Sequence, residues 1–77
     1  MRDTITFMNK VLINREPIEL FKILKFEGLA STGGEAKMFI AEGLVSVNGG
    51  VEKRKSKKMT SGDIIEFAEQ KYVLELE

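Results

Sequence analysis

Five cations crowd into six residues, Lys53, Arg54, Lys55, Lys57 and Lys58, with Ser56 as the single interruption. The chain as a whole balances twelve bases against twelve acids, so this run means that charge has been sorted along the sequence. Clustered ammonium and guanidinium groups suit a polyanion. Each cation that replaces a counterion on a single-stranded nucleic acid adds about −0.7 to the slope of log K against log salt. Ser56 has a hydroxyl to offer a phosphate oxygen, and serves equally well as a small turn residue. The sorting extends beyond the run. Residues 22 to 58 hold eight bases, including Lys22, Lys25 and Lys37, against four acids, whereas residues 63 to 77 hold five acids and one base. One basic and one acidic face are expected, and such a surface steers an anionic partner even at zero net charge.

Other chemistries find less support. With no Cys and no His, the chain has no thiol nucleophile, no disulfide, and neither the commonest metal ligand nor the usual general base. Neither a catalytic site nor a metal or cofactor is expected. Glu66 and Glu75 could pair as acid and base, but carboxylates on exposed strands are ordinarily just solvated. Gly33 and Gly34 open a helix, where N–H groups and the helix dipole favour an anion and the missing side chains let a phosphate approach. Thr32 and Glu35 compete for the same place as ordinary caps. No apolar run approaches the roughly 18 residues of a membrane span, and Asn9 and Lys10 interrupt the first apolar stretch, so a cytoplasmic location is the default. At 77 residues the chain is expected to be one domain, residues 1–77, with one core.

The elements that must position these groups follow from periodicity. Residues 1–13 alternate weakly and suggest short strands or an extended arm. Pro17 suits the first turn of a helix whose stripe of Leu20, Phe21, Ile23, Leu24 and Phe26 ends at Gly28, with Lys22 and Lys25 sharing an exposed face. Thr32 and Glu35 have capping-box spacing for a second helix, which buries Ala36, Phe39 and Ile40 and ends at Gly43. The two form a helical hairpin. Val45 and Val47 then alternate with Ser46, Asn48-Gly49 makes a tight hairpin turn, and Val51 begins the return strand. Ser61-Gly62-Asp63 is another turn, Ile64 to Ala68 a strand, Glu69-Gln70-Lys71 a connection and Tyr72 to Leu76 the last strand. Phe21, Phe26 and Phe39 are expected to face inward, Phe7 and Tyr72 are the plausible exposed aromatics, and Met8, Met38 and Met59 fill gaps at the core edge.

In this order the elements resemble the RNA-binding domain named from small-subunit ribosomal protein S-four. The matches are Glu35-Ala36-Lys37, Gly43-x-Val45-x-Val47-Asn48-Gly49 and Gly62-Asp63-x-Ile65, within a core motif of about residues 18–68. The length and Thr32-Gly33-Gly34 look like the small stand-alone YbcJ/YaaA-like bacterial branch. The resemblance implies an α+β fold, a helical hairpin on a small bent antiparallel sheet (the α-L RNA-binding motif), that binds structured and often ribosomal RNA. Larger members carry Arg-Leu-Asp and Ser-Arg at the two helix starts, where this chain reads Glu19-Leu20-Phe21 and Thr32-Gly33-Gly34. The contact burden therefore moves to the basic loop and the helical lysines.

The expected protein is thus a non-catalytic, cytoplasmic RNA-binding monomer. Its contact set is Lys22, Lys25, Gly33, Gly34, Lys37, Lys53, Arg54, Lys55, Ser56, Lys57 and Lys58, and its partner is RNA or a ribosomal particle. The competing expectation is an adaptor that docks a protein through its acidic carboxy-terminal face or an apolar patch around Ile5 and Phe7.

Overall fold

In a computed structural model of the protein, residues 8–77 are described, so Ile5 and Phe7 lie outside the described residues. Among the described residues, seven strands and two helices follow in the order β1 (Met8–Ile13), β2 (Ile18–Glu19), α1 (Leu20–Phe26), α2 (Gly33–Ala41), β3 (Ser46–Val47), β4 (Gly50–Val51), β5 (Lys58–Met59), β6 (Ile64–Phe67) and β7 (Gln70–Leu76). A five-stranded sheet runs β1-β7-β6-β3-β4, and β2 with β5 forms a separate two-stranded ribbon. The helical hairpin packs on this sheet, as expected. One pair departs from the antiparallel rule: β1 lies parallel to β7, with Val11 opposite Leu74 and Ile13 opposite Leu76. The amino-terminal strand thereby joins the core, since Val11 and Ile13 are buried with Leu20, Ile23, Leu24, Ile40, Val45, Met59, Ile65 and Leu74.

Both helices end in the same way. Gly28 and Gly43 adopt φ angles of 74° and 80°, the left-handed conformation that costs a residue without Cβ least. After α2 the N–H of Gly43 donates to Ile40 and that of Leu44 to Phe39; after α1 Gly28 donates to Lys25 and Leu29 to Leu24. These paired reversed bonds satisfy carbonyls that a helix end would otherwise strand. The start of α2 also follows its sequence: Thr32 Oγ1 accepts from the Glu35 N–H at 3.0 Å. The Glu35 carboxylate reaches back one residue further than a standard capping box, accepting from the Ser31 N–H at 2.7 Å.

The start of α1 does not. Ile18–Glu19 pair with Lys58–Met59, so the helix begins at Leu20 rather than in the turn after Pro17. No side chain caps it. Its first two N–H groups instead donate to carbonyls of the basic loop, Leu20 to Lys57 at 2.9 Å and Phe21 to Lys55 at 3.2 Å. The helix is only seven residues long, so such a distant partner matters: short helices rely on tertiary contacts more than on propensity.

The aromatic and methionine expectations need correction. Phe26 is 68% exposed, because the helix turns it past the core stripe of Leu20, Ile23 and Leu24. Tyr72 is half-buried against the core instead of exposed. Met59 is completely buried at its centre, whereas Met8 and Met38 are largely exposed. Phe39 packs beside Phe67, the ring centroids 5.2 Å apart.

Candidate nucleic-acid interface

The Asn48-Gly49 turn fixes where the basic loop leaves the sheet. Both residues have positive φ, and Val47 faces Gly50 in the register, as a two-residue reversing turn requires. The turn is also tied down. Asn48 Oδ1 accepts from the Ile64 N–H at 2.9 Å, and Asn48 Nδ2 donates to Asp63 at 3.1 Å. Asp63 in turn accepts from the Thr60 N–H at 2.9 Å. Asn48 and Asp63 are thus structural clamps at the two ends of the segment that carries the basic run.

Within that segment the cations are dealt out differently. Lys53 lays its stem across the end of α2: a Cβ placed on Gly43 would lie 3.4 Å from Lys53 Cε. Arg54 folds back on Glu52, with Nε to Oε2 at 2.8 Å and Nη2 to Oε1 at 3.1 Å. The same carboxylate accepts from the Arg54 N–H at 3.0 Å. The Arg54 side-chain and backbone bonds hold Glu52 at a pKa of about 2. Lys55 and Lys57 give their carbonyls to α1, while Lys58 lies in β5 opposite Glu19. Lys53, Lys55, Lys57 and Lys58 form no ion pair with another described residue. Ser56 stays exposed but is turned toward Glu19, whose carboxyl is held below its usual range first by Lys22 and then by Ser56.

The helical contributors meet this loop at Phe21. Lys37 Nζ sits 4.5 Å from the Phe21 ring centroid and Lys22 Nζ 6.0 Å from it. Lys22 also pairs with Glu19 at 3.1 Å. Gly33 closes over the ring, since a Cβ there would meet two ring carbons at 3.7 and 3.8 Å. The N–H groups of Gly33 and Gly34 have no capping partner among the described residues. Lys25 is exposed on α1 but shares no ion pair or ring contact with this group among the described residues. The structure therefore brings together Lys22, Gly33, Lys37 and the loop around Lys55, and leaves Lys25 to one side. Phe21 was missed as a candidate. Its place in an apolar stripe concealed it, and the signal was an aromatic residue directly beside Lys22.

The opposite end of α1 carries a different surface. An open groove of about 230 Å³ runs between β1 and the end of α1, lined by Leu12, Ile13, Ile18, Phe26, Glu27 and Glu77 among others. Leu12 and Phe26 are both more than half exposed. The carboxylate pair considered from sequence is dispersed: Glu75 bonds Lys10 at 3.6 Å, and Glu66 stands across from Lys71. Among the described residues no cluster of Asp and Glu is arranged to hold a metal, and no helix is long and apolar enough to cross a membrane.

A helical hairpin on a sheet, with clamped Asn-Gly and Gly-Asp turns framing a basic loop, is the architecture of an S4 domain. That family matches residues 11–75, and the chain belongs to it. The chain is 47% identical over 51 residues to YbcJ of Escherichia coli (strain K12), covering 66% of this chain and 73% of that protein. It is 36% identical over 59 residues to RlbA of Bacillus subtilis (strain 168), named as a probable ribosome maturation protein, covering 77% of this chain and 83% of the relative. The solution structure of YbcJ from E. coli, which carries an alfaL motif involved in RNA binding, superposes with a TM-score of 0.66 at 36% identity, over 96% of this chain and 95% of that one.

Proposed function

We propose that this protein binds structured RNA, most simply ribosomal RNA, by gripping its phosphates without catalysis, as a cytoplasmic monomer. The observation that carries this reading is the meeting of three sources of positive charge at one place: the basic loop, Lys22 on α1 and Lys37 on α2 around Phe21. The RNA-binding motif of the superposed structure and the ribosome-maturation name of RlbA support the same partner. Lysines suit shape recognition, because A-form grooves hide base edges and present phosphates and 2′-hydroxyls. The test is a titration of ribosomal RNA and an unrelated hairpin RNA at several salt concentrations. Changing Lys53, Arg54, Lys55, Lys57 and Lys58 together to Ala should flatten the log–log salt slope by about 3 units, for four or five lost contacts. Unaltered affinity and slope would refute the loop's role.

One observation favours a second reading, a protein-docking adaptor: the groove beside Phe26, with Leu12 exposed on its wall and Glu27 and Glu77 on its rim. Absence of RNA binding at moderate salt, with a stable protein partner that Phe26→Ser releases, would replace the first reading by the second.

A further inference from the structure

Phe21 touches the backbone of the basic loop and lies beside the ammonium groups of both helical lysines. Its N–H donates to the Lys55 carbonyl at 3.2 Å, its ring lies 4.5 Å from Lys37 Nζ and 6.0 Å from Lys22 Nζ, and its edge supports Gly33. The ring is half-buried and packs on the core, so its own position is fixed. Two ammonium groups drawn toward one ring would repel each other. The negative face of the aromatic quadrupole offsets this repulsion, and Glu19 at 3.1 Å from Lys22 offsets more. Lys37 has no carboxylate partner among the described residues; the ring is what restrains it. A long, flexible ammonium side chain loses rotamer freedom whenever it binds a phosphate. One already held in place loses less.

From this we infer that Phe21 is a positioning residue for RNA: it pre-sets Lys37 and keeps it in register with the loop, so that both reach one track of phosphates. The inference rests on the RNA-binding reading above. The aromatic ring gathers cations from neighbouring elements rather than supplying one. Gly33 lies against the same ring: a Cβ there would meet two of its carbons at ordinary contact distance, 3.7 and 3.8 Å.

The test combines Phe21→Leu, Phe21→Tyr and Lys37→Gln, with Phe21→Met as a second ring-free variant should Phe21→Leu fold poorly. The probes are fluorescein-labelled ribosomal RNA and a labelled unrelated hairpin RNA, titrated at several salt concentrations. Lys37→Gln should lower the magnitude of the salt slope by about 0.7 to 0.9, one phosphate contact. Phe21→Leu should weaken binding by about two- to fivefold, the factor that an exposed cation–π contact converts to. Phe21→Tyr should restore it. The effect of Lys37→Gln should shrink on the Phe21→Leu background, because the two residues act as a unit. In the free protein, the upfield ring-current shift of the Lys37 side-chain protons should vanish with the ring. If Phe21→Leu and Phe21→Met lower the melting temperature but leave the Lys37→Gln effect fully additive, Phe21 is only structural and the inference fails. If the wild type binds RNA, the five-cation variant loses it and both ring-free variants bind as wild type, this inference fails while the RNA reading stands. If the wild type does not bind either RNA, the reading fails and takes the inference with it.

Discussion

The two ends of α1 are built on opposite terms. At its start, loop carbonyls take the helix N–H groups, charged side chains crowd around Phe21, and Met59 anchors the ribbon beneath the loop. At its end, Gly28 closes the helix with its own backbone, and Phe26 stands in solvent beside an open groove. One end is held by distant parts of the chain. The other is completed locally and leaves apolar surface uncovered. The lesson is that the surface proposed to meet a polyanion is also the one whose geometry depends most on the tertiary fold.

Three changes would break or sharpen this contrast. The largest effect is expected from Met59→Ala, which empties a fully buried site under the β2–β5 ribbon and should cost about 2–5 kcal/mol in urea unfolding. A loss well under 1 kcal/mol would mean that the basic end is not anchored through Met59. A smaller, pH-dependent effect is expected from Glu52→Gln. The pKa of Glu52 is depressed in the folded protein to about 2, so its pairing with Arg54 stabilises the fold above the ordinary carboxylate pKa of about 4.3. That contribution fades as pH falls toward 2. Wild type and Glu52→Gln should therefore differ in melting temperature at pH 6 and converge at pH 2; a pH-independent gap would show that Glu52 acts only by packing. The least effect is expected from Phe26→Ser at the other end: a stability change within about ±0.5 kcal/mol and unaltered RNA affinity. Weakened RNA binding would extend the interface along the whole of α1 and dissolve the contrast.

The two hairpins of the sheet show how far such features could be read in advance. Asn48-Gly49 announces its turn, because Asn and Gly accept positive φ readily, and β3 and β4 flank it as expected. The β6–β7 turn has the same two-residue form, with Phe67 opposite Gln70, yet its central residues are Ala68 and Glu69 at φ of 52° and 66°. Neither residue type favours that conformation. Long pairing from Ile64 to Val73 imposes it, which is why the sequence placed the connection at Glu69-Gln70-Lys71. The short strand at Lys58–Met59 went unforeseen for a related reason. A two-residue strand inside a basic run has no period of its own, and only its partner Ile18–Glu19 makes it a strand.

The sequence by itself determined the helical hairpin, its glycine stops, the Thr32 cap, the Asn-Gly turn and the sorting of charge into one stretch. These are short-range matters, decided by steric limits on φ, by local hydrogen bonds and by hydrophobic period. Tertiary structure decided the rest: the parallel docking of β1 on β7, the start of α1 against loop carbonyls, and the burial of Met59 with Phe26 turned outward. It also divided the five loop cations, clamping Arg54 on Glu52, and brought Lys22, Lys37 and the loop to Phe21. Each joins groups far apart in the chain, and no local propensity encodes which distant carbonyl, carboxylate or ring will be within reach.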